Sequence, residues 1–248
     1  LADAKFIMGV DSPWRHEGQF LTRFRYRNYF KRLDHVFVTG ERSWQYVRRM
    51  GFSPSQISRG MYGVDVARWK KIAAQREAQP WPRSFLFLGR YTELKGLDVL
   101  VAAYKKYRAQ VAAPWTFTCC GKGDQASLLR EVEGIIDRGF VQPEDLDAVF
   151  LESGAFVIPS RFDPWPLALV EAAASGLPIL CSDACGSAVE NVRDGFNGYV
   201  SPVGDVAALS DAMVSIHQRA DALPKWGRRS NAFAQAYSAE QWCERWMR

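Results

Sequence analysis

Two carboxylates, Asp163 and Glu171, stand with seven residues between them in the segment Ile158-Pro159-Ser160-Arg161-Phe162-Asp163-Pro164-Trp165-Pro166-Leu167-Ala168-Leu169-Val170-Glu171-Ala172, which closes at Gly176. Pro166 marks a helix start, because a proline has no N–H to lose there and its φ is already helical. Asp163 then lies in the loop before the helix, near the free amides of Leu167 and Ala168 at its positive end, with Glu171 about one turn inside. Glu171 belongs to the apolar run Leu167 to Ala174, where an unpaired carboxylate is costly. It needs a polar partner. Sugar hydroxyls are suitable donors, and an ion-paired helix glutamate is the plainer alternative.

Three more loops carry residues of the same kind. Gly89-Arg90-Tyr91-Thr92-Glu93-Leu94-Lys95-Gly96 places two cations between a strand and a helix. An arginine fork and a lysine point charge at a helix N-terminus suit a diphosphate, whose charge grows as it departs; two solvated surface cations are the alternative. Cys120-Gly121-Lys122-Gly123-Asp124 lets the backbone approach a ligand at Gly121 and Gly123, or is simply a tight turn. Gly139-Phe140-Val141-Gln142 offers backbone groups and an apolar wall to a nucleobase.

The elements that hold these loops alternate regularly after Pro82. We expect strands at Phe85 to Leu88, Trp115 to Cys120, Ile135 to Phe140, Phe156 to Ile158, Pro178 to Ser182 and Gly198 to Val200. Between them the pattern predicts helices at Leu97 to Tyr107, Gln125 to Val132, Pro143 to Leu151 and Leu167 to Ala174. Short apolar strands alternating with helices predict a parallel sheet covered on both faces, and in such sheets the loops leaving the carboxyl ends of the strands build the ligand crevice. Before Met61 the pattern gives a buried strand over Ala4 to Val10, a basic and aromatic stretch over Phe20 to Arg32, a strand over His35 to Thr39 and a helix over Glu41 to Met50 stopped by Gly51. From Met61 to Pro82 it weakens around Gly63, Asp65 and Pro80, as in an interdomain connection. Beyond Asp205, helices carry Trp226, Trp242 and Trp246.

Composition excludes some functions. With 48% hydrophobic residues the chain can bury one large core or two modest ones, but no apolar run is long enough to span a membrane. Leu1 to Val10 lacks the order of a signal peptide, so a cytoplasmic location is the default. The net charge of +5 suits an anionic ligand or an acidic membrane surface. The five cysteines lack C-x2-C spacing and read as buried thiols rather than a zinc site. Asp145-Leu146-Asp147 falls in a predicted helix and reads as a solvated face, and His16 as a surface residue. Arg23, Arg25, Arg27, Lys31 and Arg32, interleaved with Phe20, Leu21, Phe24, Tyr26 and Phe30, would touch anionic lipid as an amphipathic helix, or form a packed helix with solvated arginines. No nucleic-acid-binding motif accompanies these aromatics.

Taken together, Gly89-Arg90 with Lys95-Gly96, Gly121-x-Gly123, Pro159-Ser160, and Asp163-x7-Glu171 followed by Ala172 and Gly176 resemble the retaining GT-B glycosyltransferases of family four (glycosyl transferases group 1). The match runs from about Phe85 to Asp205, and more loosely through Tyr62-Gly63-Val64-Asp65, where the family has Asn-Gly-Val-Asp. The resemblance implies an α/β fold of GT-B type: a C-terminal Rossmann-like, doubly wound parallel sheet over 83–222 binding the donor, after the last part of an N-terminal Rossmann-like acceptor domain (1–62) and a connection (63–82). Residues 223–248 would be C-terminal helices returning toward the first domain.

By the same resemblance, Arg90 and Lys95 hold the donor diphosphate, Glu171 binds the ribose, Asp163 contacts the transferred sugar, and amides over Pro166, Leu167, Ala168 and Leu169 approach sugar and phosphates. Gly89, Gly121, Lys122, Phe140 and Val141 complete the donor site. Arg90, Lys95 and Asp163 form its catalytic set. The substrate would be a nucleotide sugar and the acceptor a carbohydrate or lipid-linked molecule. No cofactor or metal is implied. Asp163 departs from the family's usual Glu by one methylene. A GT-B sugar-nucleotide epimerase and a non-catalytic nucleotide-sugar-binding module are the competing readings.

Overall fold

The computed structural model describes residues 4–14 and 16–247. In chain order the elements are β1 (Ile7–Val10), α1 (Phe20–Arg25), α2 (Arg27–Phe30), β2 (His35–Val38), α3 (Glu41–Met50), β3 (Ile57–Arg59) and α4 (Val66–Glu77). They continue with β4 (Ser84–Leu88), α5 (Leu97–Arg108), β5 (Thr116–Cys120), β6 (Ile135–Asp137), α6 (Leu146–Leu151), β7 (Ala155–Ile158) and α7 (Leu167–Ala174). The last are β8 (Ile179–Ser182), α8 (Ala188–Asn191), β9 (Gly198–Ser201), α9 (Val206–Gln218), α10 (Leu223–Ala234) and α11 (Ala239–Met247). They form two compact units, Leu1–Val64 with Tyr237–Arg248, and Asp65–Ala236.

In the first unit, β1, β2 and β3 pair in parallel in that order. Val36 and Val38 of β2 are buried with Leu33, Val47, Met50, Phe52 and Ile57. Gly51, at φ 105°, ends α3 in the left-handed conformation that glycine adopts without strain. The expected burial of the first strand does not hold. β1 pairs on one side only, and its residues alternate between exposed and half-buried. The basic stretch is also not one helix: Tyr26, at φ −108° and ψ 18°, separates α1 from α2, and neither buries a residue. Trp246 of α11 stacks on Phe37 at 3.9 Å between ring centroids, and Trp242 donates its indole N–H to the Met61 carbonyl.

The second unit is a six-stranded parallel sheet ordered β6-β5-β4-β7-β8-β9. Phe85, Phe87, Phe117, Val157 and Leu180 are buried with Leu100, Tyr104 and Tyr107 of α5, Leu209 and Met213 of α9 and Trp226 of α10. The intervening strand residues Leu86, Phe156, Ile158 and Ile179 are equally buried. Both faces are therefore covered, which explains why these strands read as unbroken apolar runs. From β4 the chain winds outward through β5 and β6, then crosses to β7 and winds the other way. The crevice for a ligand opens where that order reverses, beyond the carboxyl ends of β4 and β7.

Three sequence expectations change here. The segment expected to connect domains contains α4, a twelve-residue helix of the second unit, capped by Asp65 and burying Val66, Trp69, Ile72 and Arg76. The helix expected over Gln125 to Val132 is only a short 3-10 turn, Ala126–Leu129, with one buried side chain, too small an apolar face to hold a longer helix. The third strand stops at Asp137 rather than Phe140, because Gly139 turns at φ 62°.

Candidate functional site

The loops leaving β4 and β7 are built as one piece. The first runs from Gly89 through a 3-10 turn at Glu93–Lys95 to Gly96, whose φ of 69° swings the chain into α5. A Cβ on Gly96 would lie 2.2 Å from the Pro159 carbonyl oxygen, so only glycine lets the two loops approach this closely. The Arg161 amide donates to the Leu94 carbonyl (2.8 Å), and the Arg161 guanidinium to the Asp98 carboxylate (2.6 Å). Lys95 Nζ donates to Asp163 Oδ2, with the two side chains 18% and 9% exposed. Asp163 is also held from behind, where the Gly186 amide donates to its carbonyl at 2.8 Å.

Lys95 and Asp163 thus face each other, and the pair is close to neutral. Arg90, at the start of the first loop, is exposed to solvent, as is Lys122 in the loop after β5.

Helix α7 begins at Leu167 behind Pro166, with no side chain capping its first amides. Leu167 and Ala168 therefore present N–H groups and the positive helix end beside Asp163. Leu169 is different. Its side chain is fully buried and its amide donates to the Pro166 carbonyl, so it supports the site from the core. Glu171 is half-buried in the second turn, and desolvation raises its pKa above the ordinary carboxylate value, opposed by the charge of Arg68.

The loops after β5 and β6 close against the first. The Gly89 amide donates to Cys120, the Tyr91 amide to Lys122 and the Gly121 amide to Gly139, at 3.0, 2.9 and 2.7 Å. A Cβ on Gly121 would meet the Gly89 carbonyl at 1.9 Å. Lys122 Nζ lies 5.0 Å from the ring centroid of Phe140, which is 56% exposed, and Val141 follows half-buried. Lys122, Phe140 and Val141 therefore edge the same loop cluster.

Other residues contribute that sequence reasoning gave no role. Tyr91, fully buried, donates to Asp137, which also accepts from the Gly139 amide. Burial pushes the Tyr91 phenol far above its usual range, so it stays a donor. The pair of Arg161 and Asp98 ties the loop to α5. The loop after β8 abuts the Asp163 segment, and Gly186 is required because a Cβ would sit 1.7 Å from the Pro164 carbonyl. The rule that ligand loops follow strand ends applied to β8 as well, and was the available signal. Cys185 in this loop is buried, and its thiol is pushed up to about 11. Among the described residues, no group of three or more His, Cys, Asp or Glu side chains could hold a metal ion.

Comparison with known proteins gives consistent findings. The family model described as glycosyl transferases group 1 matches residues 82–219, more than half of the chain. The chain is 32% identical to the glycogen synthase of Mycobacterium tuberculosis over 161 residues, covering 62% of this chain and 38% of that protein. It is 26% identical to the amylovoran biosynthesis glycosyltransferase AmsK of Erwinia amylovora over 245 residues, covering 90% of this chain and 59% of the relative. Against the crystal structure of Anabaena Alr3699/HepE in complex with UDP, it superposes with a TM-score of 0.80 at 16% identity, covering 99% of this chain and 72% of that one. The α/β, GT-B-type fold expected from the sequence is the fold observed.

Proposed function

We propose, from the premise that this chain belongs to the glycosyl transferases group 1 family, that it carries the donor site of a retaining glycosyltransferase using a nucleoside diphosphate sugar. The observation that carries the reading is the Lys95–Asp163 pair, set just before the uncapped start of α7 where the sheet order reverses, with Arg90 exposed at the start of the loop that carries Lys95. Such a crevice offers a diphosphate fixed positive charge and free N–H donors.

In this reading Arg90 and Lys95 bind the diphosphate and stabilise the charge that builds on it as the sugar leaves. Groups already aimed at developing charge need no reorganisation during the reaction, and each such group contributes on the order of 3 kcal/mol. The amides of Leu167 and Ala168 approach the phosphates and sugar. Asp163 holds Lys95 and borders the sugar. Glu171 accepts hydrogen bonds from the ribose, with Gly121, Lys122, Phe140 and Val141 at the nucleobase end. The acceptor hydroxyl attacks from the face the diphosphate leaves, and the departing phosphate takes its proton, so configuration is retained without a protein nucleophile or a metal.

The acceptor is a carbohydrate or lipid-linked molecule. The protein works at the cytoplasmic side of the membrane, where the basic stretch with exposed Phe20, Leu21, Phe24 and Tyr29 supplies peripheral contact. No described helix is long and apolar enough to cross a membrane.

The test is a transfer assay with UDP-, GDP- and ADP-sugars, with the anomeric configuration of the product read by NMR. A product that keeps the donor's configuration is expected. Inversion, or an epimerised nucleotide sugar with no transfer, would overturn the reading.

A further inference from the structure

Arg68 lies outside the loops of the candidate site, on α4, in the segment whose sequence suits an interdomain connection. It is held firmly there. Asp65 caps the helix by accepting from the Arg68 amide at 2.9 Å, and the Arg68 guanidinium lies 4.6 Å from the ring centroid of its neighbour Trp69. Trp69 is itself buried edge-on against Phe150 of α6.

From that anchor the guanidinium reaches two groups across the groove between α4 and α6, a space of about 860 Å³. Its Nε donates to Asp147 Oδ1 at 2.6 Å, and its Nη2 to the Pro143 carbonyl. Pro143 closes the loop that leaves β6 and contains Phe140 and Val141. Asp147 is the second acid of Asp145-Leu146-Asp147. It is therefore an ion-pair partner rather than the purely solvated residue expected, and it is 44% exposed.

The charge of Arg68 also acts beyond these contacts. Helix α4 packs on α7, and of the charges around α7, Arg68 is the one whose field opposes the burial of Glu171. Others are engaged elsewhere. Arg76 of α4 donates to backbone carbonyls, Arg228 of α10 meets Glu77, and Arg229 of α10 lies over Phe196. Lys70 and Lys71 of α4, Lys225 of α10 and Glu190 of α8 are the further charged residues on the helices packed against α7.

We propose that Arg68 is a positioning residue of the donor site: it fixes the nucleobase loop through Pro143 and Asp147, from a helix packed against the one that carries Glu171. The inference rests on the donor-site reading above and assigns a role within it to a residue outside the donor loops. A carboxylate binds ribose hydroxyls best when ionised, since only then are both oxygens free to accept. Burial drives Glu171 toward the neutral form and Arg68 opposes this. Without Arg68, Glu171 would hold its proton to higher pH, and the acid limb of nucleotide binding would move up with it.

The experiment is isothermal titration of the whole chain with UDP, GDP and ADP from pH 5 to 8, with urea denaturation run on each variant to monitor folding. We expect Arg68→Met to weaken binding about tenfold at pH 7, the scale of one hydrogen bond to a charged group, and to move the acid limb to higher pH. Arg68→Lys keeps the charge but loses the fork, so it should weaken binding while leaving the limb in place. Asp147→Asn should do the same, because it leaves Arg68's charge intact. In Glu171→Gln only the acid limb of the nucleotide's own terminal phosphate, which titrates at about pH 6, should remain. If Arg68→Met or Arg68→Lys binds with wild-type affinity, or the limb stays fixed in Arg68→Met, the inference is wrong while the donor site stands. If Glu171→Gln leaves affinity and limb unchanged, or no nucleotide binds wild type, the donor-site reading itself fails.

Discussion

Lys95 and Asp163, 68 residues apart in sequence, are ion-paired across the two loops at the point where the strand order of the sheet reverses. Each residue was expected to meet a different part of the donor, the lysine the diphosphate and the aspartate the sugar. In the structure the shorter aspartate carboxylate is occupied by the lysine, and both side chains are largely buried. The pair therefore ties the loop after β4 to the loop after β7.

Removing one partner should strand the other. Breaking a buried pair in this way typically costs about 3 kcal/mol, because the remaining charge loses its compensation. Asp163→Ala is expected to lower the urea midpoint accordingly, with Asp163→Glu recovering most of the loss. Equal midpoints for all three proteins would show that the pair is not formed in solution.

Glu171 should oppose stability where it serves binding. Its pKa is raised by burial, so the folded state holds the proton more tightly than the unfolded chain. The stability this contributes is present below the ordinary carboxylate pKa and is lost as pH rises through the higher folded value. Glu171→Gln should therefore stabilise the protein at pH 7, with that advantage shrinking as pH falls toward 4, and weaken nucleotide binding. Urea titrations at the two pH values read the first effect directly.

Gly96 should tolerate no side chain. Alanine there would face both the left-handed φ of 69° and the Pro159 carbonyl at 2.2 Å. The backbone term alone costs about 1–2 kcal/mol. Gly96→Ala is expected to lose at least that much in chemical denaturation and to displace Lys95, whereas Gly195→Ala, with φ 66° but nothing within 4 Å, should show only the backbone cost.

Arg76 is fully buried and donates to the carbonyls of Phe150, Ser153 and Ser175, at the ends of α6 and α7. Desolvation brings its pKa down to about 9. Arg76→Met leaves the Ser153 and Ser175 carbonyls without this donor, while the Phe150 carbonyl keeps the Ser153 amide, at about 1–3 kcal/mol for each group left unsatisfied. We expect severe destabilisation in urea or failure to accumulate as folded protein. A folded Arg76→Met variant of wild-type stability would contradict this role.

These residues also show what could be read from sequence. Helix α7 was legible to the residue because Pro166 fixes its start and an apolar run fills it, and the central strands because burial on both faces leaves them uniformly apolar. Helix α4 was not. Its inward positions include Arg76, whose burial makes sense only once the carbonyls of α6 and α7 are in place. The site divides similarly. Arg90, Lys95 and Asp163 are readable as residue types in loops at strand ends and Glu171 as a carboxylate inside the following helix, but the pairing of Lys95 with Asp163 depends on β4 lying beside β7, which no local pattern encodes.

The central claim is that the crevice beyond β4 and β7 binds a nucleoside diphosphate. Calorimetric titration of the chain with UDP, GDP and ADP tests it most directly, using Arg90→Ala and Lys95→Ala with Arg228→Ala as a control on the far surface. Saturable one-to-one binding of at least one nucleotide is expected, weakened about tenfold or more by each loop substitution and unchanged in the control. Binding that survives both loop substitutions, or none of the three nucleotides binding at all, would contradict it.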